Sequence, residues 1–136
     1  MHPLQRLDHR LAVTLCHAVE HAALEQALAT ARAARSRDEQ AAWEAVLVIA
    51  PNSAEALEEL GWLAINRRQN AQARDYARRA VAVDPSLSRA WVTLGAALQE
   101  LDDDAGARLA YQSCVDHGVG ANVRDCRTML RMLGTP

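Results

Sequence analysis

Apolar residues recur along most of the chain at three- and four-residue spacing, the rhythm of a helix that buries one face. Near the N-terminus Leu4, Leu7, Leu11 and Leu15 form one such stripe behind Pro3, a residue suited to a first helical position. Near the C-terminus Val123, Cys126, Leu130 and Leu133 form another. Between them the pattern itself repeats. Displacing the chain by 34 residues puts Leu57 on Trp91, Leu60 on Leu94, Gly61 on Gly95, Ala64 on Leu98, Ala73 on Ala107, Ala77 on Tyr111 and Ala80 on Cys114. A displacement of 34 in the other direction puts Trp43 under Ala77, Val46 under Ala80 and Pro51 under Pro85, so a less regular copy runs from about residue 20 to 53. Small and apolar matches at a fixed period are what stacked helical units require.

The polar punctuation keeps the same period. Ser36, Asn70 and Asp104 fall 34 apart, each a residue able to cap a helix start, and Ser36 with Glu39 has the spacing of a capping box. Asn52 and Ser86 are also 34 apart, each directly after a proline that ends the preceding helix. The pattern predicts helices over 20–34, 37–49, 53–67, 71–83, 87–101 and 105–117. An N-terminal helix over 1–19 precedes them and a capping helix over 120–136 follows. No breaker separates the first 30 or so residues, which form one long helix or two. The reading taken here is two, with a kink near Ala18 to Glu20.

Composition agrees with an all-helical chain. The 136 residues suffice for a single domain, 50% are hydrophobic and 24% charged, and Gly and Pro are scarce. The 15 basic residues are all Arg, against 17 acidic ones. The pI is near 6.2, which lacks the positive surplus that drives nucleic-acid binding. No apolar run reaches the roughly 20 residues of a membrane span, and the stretch Leu11–Cys16 is short for a signal peptide. Three cysteines, Cys16, Cys114 and Cys126, are an odd number outside any disulfide-dense pattern, which suggests a reducing compartment and the cytoplasm by default. The lack of Lys and Phe beside abundant Ala and Arg suggests a GC-rich bacterial genome.

The repeat resembles the tetratricopeptide repeat (TPR) family over about residues 20–120. The residues that carry the resemblance are Leu57, Leu60-Gly61, Ala64, Ala73, Tyr76-Ala77, Ala80 and Pro85, then Trp91, Leu94-Gly95, Leu98, Ala107, Tyr111 and Cys114. The first copy departs from the pattern, with Gln26-Ala27 at the Leu-Gly position and Glu39 where Ala is expected. The resemblance implies an all-α solenoid of three helix pairs, 20–53, 54–87 and 88–119, with flanking helices. It also implies a partner protein held in the concave surface lined by the first helix of each pair. By resemblance that surface carries His21, Leu24 and Leu28 from the first pair, and Glu55, Glu58, Trp62, Ile65 and Asn66 from the second. The third pair contributes Arg89, Val92, Ala96 and Gln99. Trp62 lies outside the positions that packing within the repeat demands, which marks it as an anchor for a partner or else as a ring packed against the capping helix or a neighbouring repeat.

Chemistry is sparse. His17 and His21 share a helical face, but two ligands are too few for a usual zinc site. Cys114 and His117 have C-x-x-H spacing, yet Cys114 occupies the buried small position of Ala80. Asp102-Asp103-Asp104 lacks the alternating ligands, central Gly and closing Glu of a calcium loop, and suits a helix N-terminus instead. No catalytic set can be assembled, and no cofactor or metal is implied. The function read from the sequence is a non-catalytic protein-binding module, an adaptor or chaperone. Its ligand would be an amphipathic helix or extended segment with apolar anchors and a few basic residues. The alternative is a self-associating assembly subunit, as in a bacterial secretion system, using the N-terminal leucine stripe or the terminal helix.

Overall fold

The computed structural model describes residues 3–134, with side chains from Asp8 onward. Seven helices follow in order among them: α1 Pro3–Ala33, α2 Glu39–Ile49, α3 Ala54–Asn66, α4 Asn70–Val83, α5 Ser88–Glu100, α6 Asp104–His117 and α7 Asn122–Leu133. They divide into two compact units, Met1–Pro51 and Asn52–Pro136.

In the N-terminal unit α1 pairs with α2. Helix α1 runs unbroken from Pro3 to Ala33, so the first 30 or so residues form one long helix and not the two expected to divide near Ala18 to Glu20. The physical reason is in the residues themselves, since nothing in that stretch lacks an N–H or disfavours helix as Pro or Gly would. Every residue from Asp8 to Ala23 is exposed, and burial begins only further along, with Ala31 at its centre. Leu4 and Leu7 of the predicted stripe have side chains outside the described residues. Ser36 does not cap α2 and makes no capping box with Glu39. It takes a left-handed φ of 51° in the turn, and α2 starts after Asp38.

In the C-terminal unit successive helices pack on one another, and α3 also touches α5 while α5 touches α7. The odd helices α3, α5 and α7 therefore make one layer, with α4 and α6 packed against it. The repeat-equivalent positions fill the seam: Leu60, Gly61, Ala64, Ala73, Ala77 and Ala80 are buried, as are Leu94, Gly95, Leu98, Ala107, Tyr111 and Cys114. Trp91 departs from its equivalent Leu57, which is fully buried. Trp91 is half-buried, with its indole Nε1 donating to the Pro85 carbonyl at 2.8 Å.

The turns within both pairs are the same. Arg68 and Asp102 take left-handed φ of 58° and 60°, and the next residues, Gln69 and Asp103, donate backward to the carbonyls of Ala64 at 2.9 Å and Leu98 at 2.8 Å. This Schellman-type ending satisfies the last carbonyls of α3 and α5. It also sets the cap positions of the next helices one residue earlier than the sequence suggested. Asp103, not Asp104, caps α6, its Oδ1 accepting from the Gly106 N–H at 2.8 Å. At α3, which follows the Pro51 break and not such a turn, the cap falls one residue later: Ser53, not Asn52, accepts from the Ala56 N–H at 3.3 Å.

Two of the three cysteines are not free. Cys114 on α6 and Cys126 on α7 are disulfide-bonded, both fully buried, and Cys16 is the one left as a thiol. The reading of Cys114 as a core residue holds for its position, but its sulfur is joined to the C-terminal helix.

Candidate functional site

The exposed face of the α3–α5 layer is built by the register of these two helices. Buried Leu57, Leu60 and Ala64 hold one face of α3 in the core, which leaves Glu55, Glu58, Trp62, Ile65 and Asn66 on the remaining arc. The same register on α5 brings out Arg89, Val92, Ala96 and Gln99 beside buried Ala90, Thr93 and Ala97. Glu55 and Arg89 are repeat-equivalent, so successive repeats carry opposite charge at one position.

That opposition closes into a cluster. The Arg89 guanidinium donates through Nε to Glu58 Oε1 at 2.8 Å, and its Nη2 lies 2.7 Å from the same carboxylate. Nη2 also pairs with Glu59. The guanidinium sits over the Trp62 ring, 5.8 Å from its centroid, in cation–π contact. Burial works to lower the Arg89 pKa. The hydrogen bond and charge of Glu59 together with those of Glu58 outweigh it and hold the pKa above its ordinary value. The cation is thus permanent, and its two carboxylate partners fix it across α3 and α5. Trp62 remains 39% exposed.

Further along the layer, Ile65, Asn66 and Ala96 line an open depression of about 300 Å³ with Arg68, Asn70 and Glu100. Gln99 has a structural task, since its Oε1 accepts the Tyr111 hydroxyl at 2.8 Å. Burial pushes the Tyr111 phenol up to about 12. Val92 is half-buried and Glu55 exposed. Leu24, Leu28 and His21 stand on α1 in the N-terminal unit, the leucines half-buried and His21 exposed.

Glu59 is the member that sequence reasoning missed. It follows Glu58 on α3 and sits 30 residues from Arg89, so no local pattern links them. The usable signal was the charge reversal between Glu55 and Arg89. Among the described residues no three His, Cys, Asp or Glu side chains come together as a metal site, and no helix is long and apolar enough to cross a membrane.

No family model matches the chain, and no curated protein is similar to it. Among solved structures, the Sgt2 TPR domain from Aspergillus fumigatus is similar, with a TM-score of 0.64 and 27% identity over 81% of this chain and 78% of that one. The chain has the TPR fold. In TPR terms α3–α4 and α5–α6 are two regular repeats, and the Trp62–Arg89 cluster lies on the first helices of both.

Proposed function

We propose that this TPR chain is a non-catalytic adaptor or chaperone whose α3–α5 face holds a segment of a partner protein. The observation that carries the reading is Trp62, a large ring 39% exposed on α3 and held by the Arg89 cation of α5. Exposed aromatic faces on a preformed surface are the usual anchors of interfaces. The ligand's character follows from charge. Glu55, Glu58, Glu59 and Glu100 outnumber Arg89 and Arg68 on this face, and Arg89 is already engaged by two carboxylates. A segment with apolar anchors and basic flanking residues is complementary, whereas an acidic tail is not.

The test is selection from a peptide display library, followed by titration of the winners. Enriched peptides should be apolar with net positive charge, and Trp62→Ala should weaken them at least tenfold while leaving the thermal midpoint within a few degrees. Acidic winners, or peptides that bind Trp62→Ala equally well, would overturn the reading.

The alternative of a self-associating subunit draws on one observation. Leu11, Leu15 and Val19 are 56%, 64% and 67% exposed along α1. A strictly monomeric chain across the micromolar range in light scattering would remove that alternative. For location, the cysteine count pointed to the cytoplasm, and the buried Cys114–Cys126 bond weighs toward an oxidising compartment instead.

A further inference from the structure

Helix α7 packs on α5 and α6 through a partly buried apolar face, and one covalent bond joins it to α6. Of its 12 residues only Cys126 is buried. Its N-terminal residue has no side-chain cap, and it is reached through the Gly118–Ala121 connection, where Gly120 takes a φ of 100°. Arg124, Asp125, Arg127 and Arg131 face solvent, while Val123, Met129, Leu130 and Leu133 are half-buried. The hydrogen bond from Arg108 to the Leu133 carbonyl is long, at 3.4 Å. A free helix of this length is marginal in water. The connection before it is better tied, since the Val119 N–H donates to Ser86 at 2.9 Å and Ser88 donates to the Val119 carbonyl at 2.7 Å.

The rest of the unit does not need the sulfur. Cys114 sits at the repeat position of Ala80, and the α3–α4 pair closes there with a methyl group alone. We propose that the Cys114–Cys126 disulfide is a latch for α7. Oxidised, it keeps α7 seated on α5 and α6. Reduced, α7 leaves while α3 to α6 stay folded. Both sulfurs are fully buried, so a reductant reaches them only when α7 lifts. The reducing step is thiol–disulfide exchange with a dithiol. One thiolate of the dithiol attacks a cysteine sulfur, breaking the Cys114–Cys126 bond, expelling the other cysteine as a thiolate and leaving a mixed disulfide; the dithiol's second thiolate then attacks its own partner sulfur in that mixed disulfide and expels the remaining cysteine thiolate. Two electrons pass to the protein, both cysteines leave as thiols, and the reductant leaves as a cyclic disulfide.

Closing a loop of this size disfavours the open state by about a hundredfold. The test is amide hydrogen exchange by mass spectrometry on the whole chain, with and without dithiothreitol, beside the Cys114→Ala chain without reductant. Reduction and Cys114→Ala should each speed exchange over residues 122–133 by about a hundredfold and leave α3 and α5 unchanged. Unaltered protection of α7 in either case would show that packing alone holds it. Loss of protection through α3 to α6 together with α7 would make the bond a general staple. Either result overturns the latch.

Discussion

Gly61 and Gly95 occupy the same repeat position, yet an added methyl group should have opposite effects at the two. A Cβ on Gly95 would lie 2.4 Å from Cε1 and Cζ of Tyr111, more than 1 Å inside carbon–carbon contact. The ring has no room to retreat, being fully buried with its hydroxyl tied to Gln99. Overpacking of this kind costs about 3 kcal/mol, against about 1 kcal/mol gained by Gly→Ala in a helix. Gly95→Ala should therefore destabilise by about 2 kcal/mol. At Gly61 the same Cβ meets its nearest atom, the Ala77 nitrogen, at 3.4 Å and the Thr93 methyl at 3.6 Å, which are ordinary contacts. Gly61→Ala should stabilise by about 0.5–1 kcal/mol. Urea unfolding followed by circular dichroism separates the two, provided the slope m is unchanged. A Tyr111→Leu background should abolish the penalty at Gly95 and leave only the helix-propensity gain, giving a coupling of about 3 kcal/mol. Equal shifts at the two glycines, or a Gly95→Ala cost indifferent to Tyr111, would refute the reasoning.

Two further outcomes follow from the caps and the buried phenol. Asp103→Ala should cost about 1 kcal/mol in urea unfolding, because it strands the Gly106 N–H, while Asp104→Ala removes only an exposed charge near the helix dipole and should cost about 0.3 kcal/mol. The Tyr111 proton is held to about 12 in the fold against 10.0 for a free phenol, so the unfolded chain deprotonates first on raising the pH. Stability from this group is complete below pH 10.0 and falls as the pH rises toward 12. Urea midpoints measured across that window should decline for the parent chain and flatten in Tyr111→Phe.

The helices and their period were legible because stacked pairs need small residues at fixed intervals, and Gly61, Ala73 and Ala80 repeat as Gly95, Ala107 and Cys114. The caps of α4 and α6 fall one residue earlier than the pattern suggests because each preceding turn is closed by a left-handed Arg68 or Asp102 and not by the glycine that usually marks it. The division of α1 came from carrying the repeat's template back into a stretch with no breaker, and the continuous helix follows the residues instead. On the candidate face the exposed positions were readable from helical register alone. The Arg89 partnership with Glu58 and Glu59 was not, since it joins residues 31 and 30 apart whose meeting depends on how α3 and α5 stack. The disulfide was hidden for the same reason, as sequence spacing does not reveal which cysteines meet.

That bond also decides how the chain carries load. In a row of helices that touch only their neighbours, tension enters at an end and peels the outermost element first. Here a pull applied beyond Cys126 bypasses the residues between the two sulfurs and passes directly into α6 at Cys114, 12 positions earlier. The intervening segment keeps about 40 Å of contour out of reach of the force. Mechanically the end of the array is α6, and the connecting segment with the first four residues of α7, up to Asp125, is carried as slack.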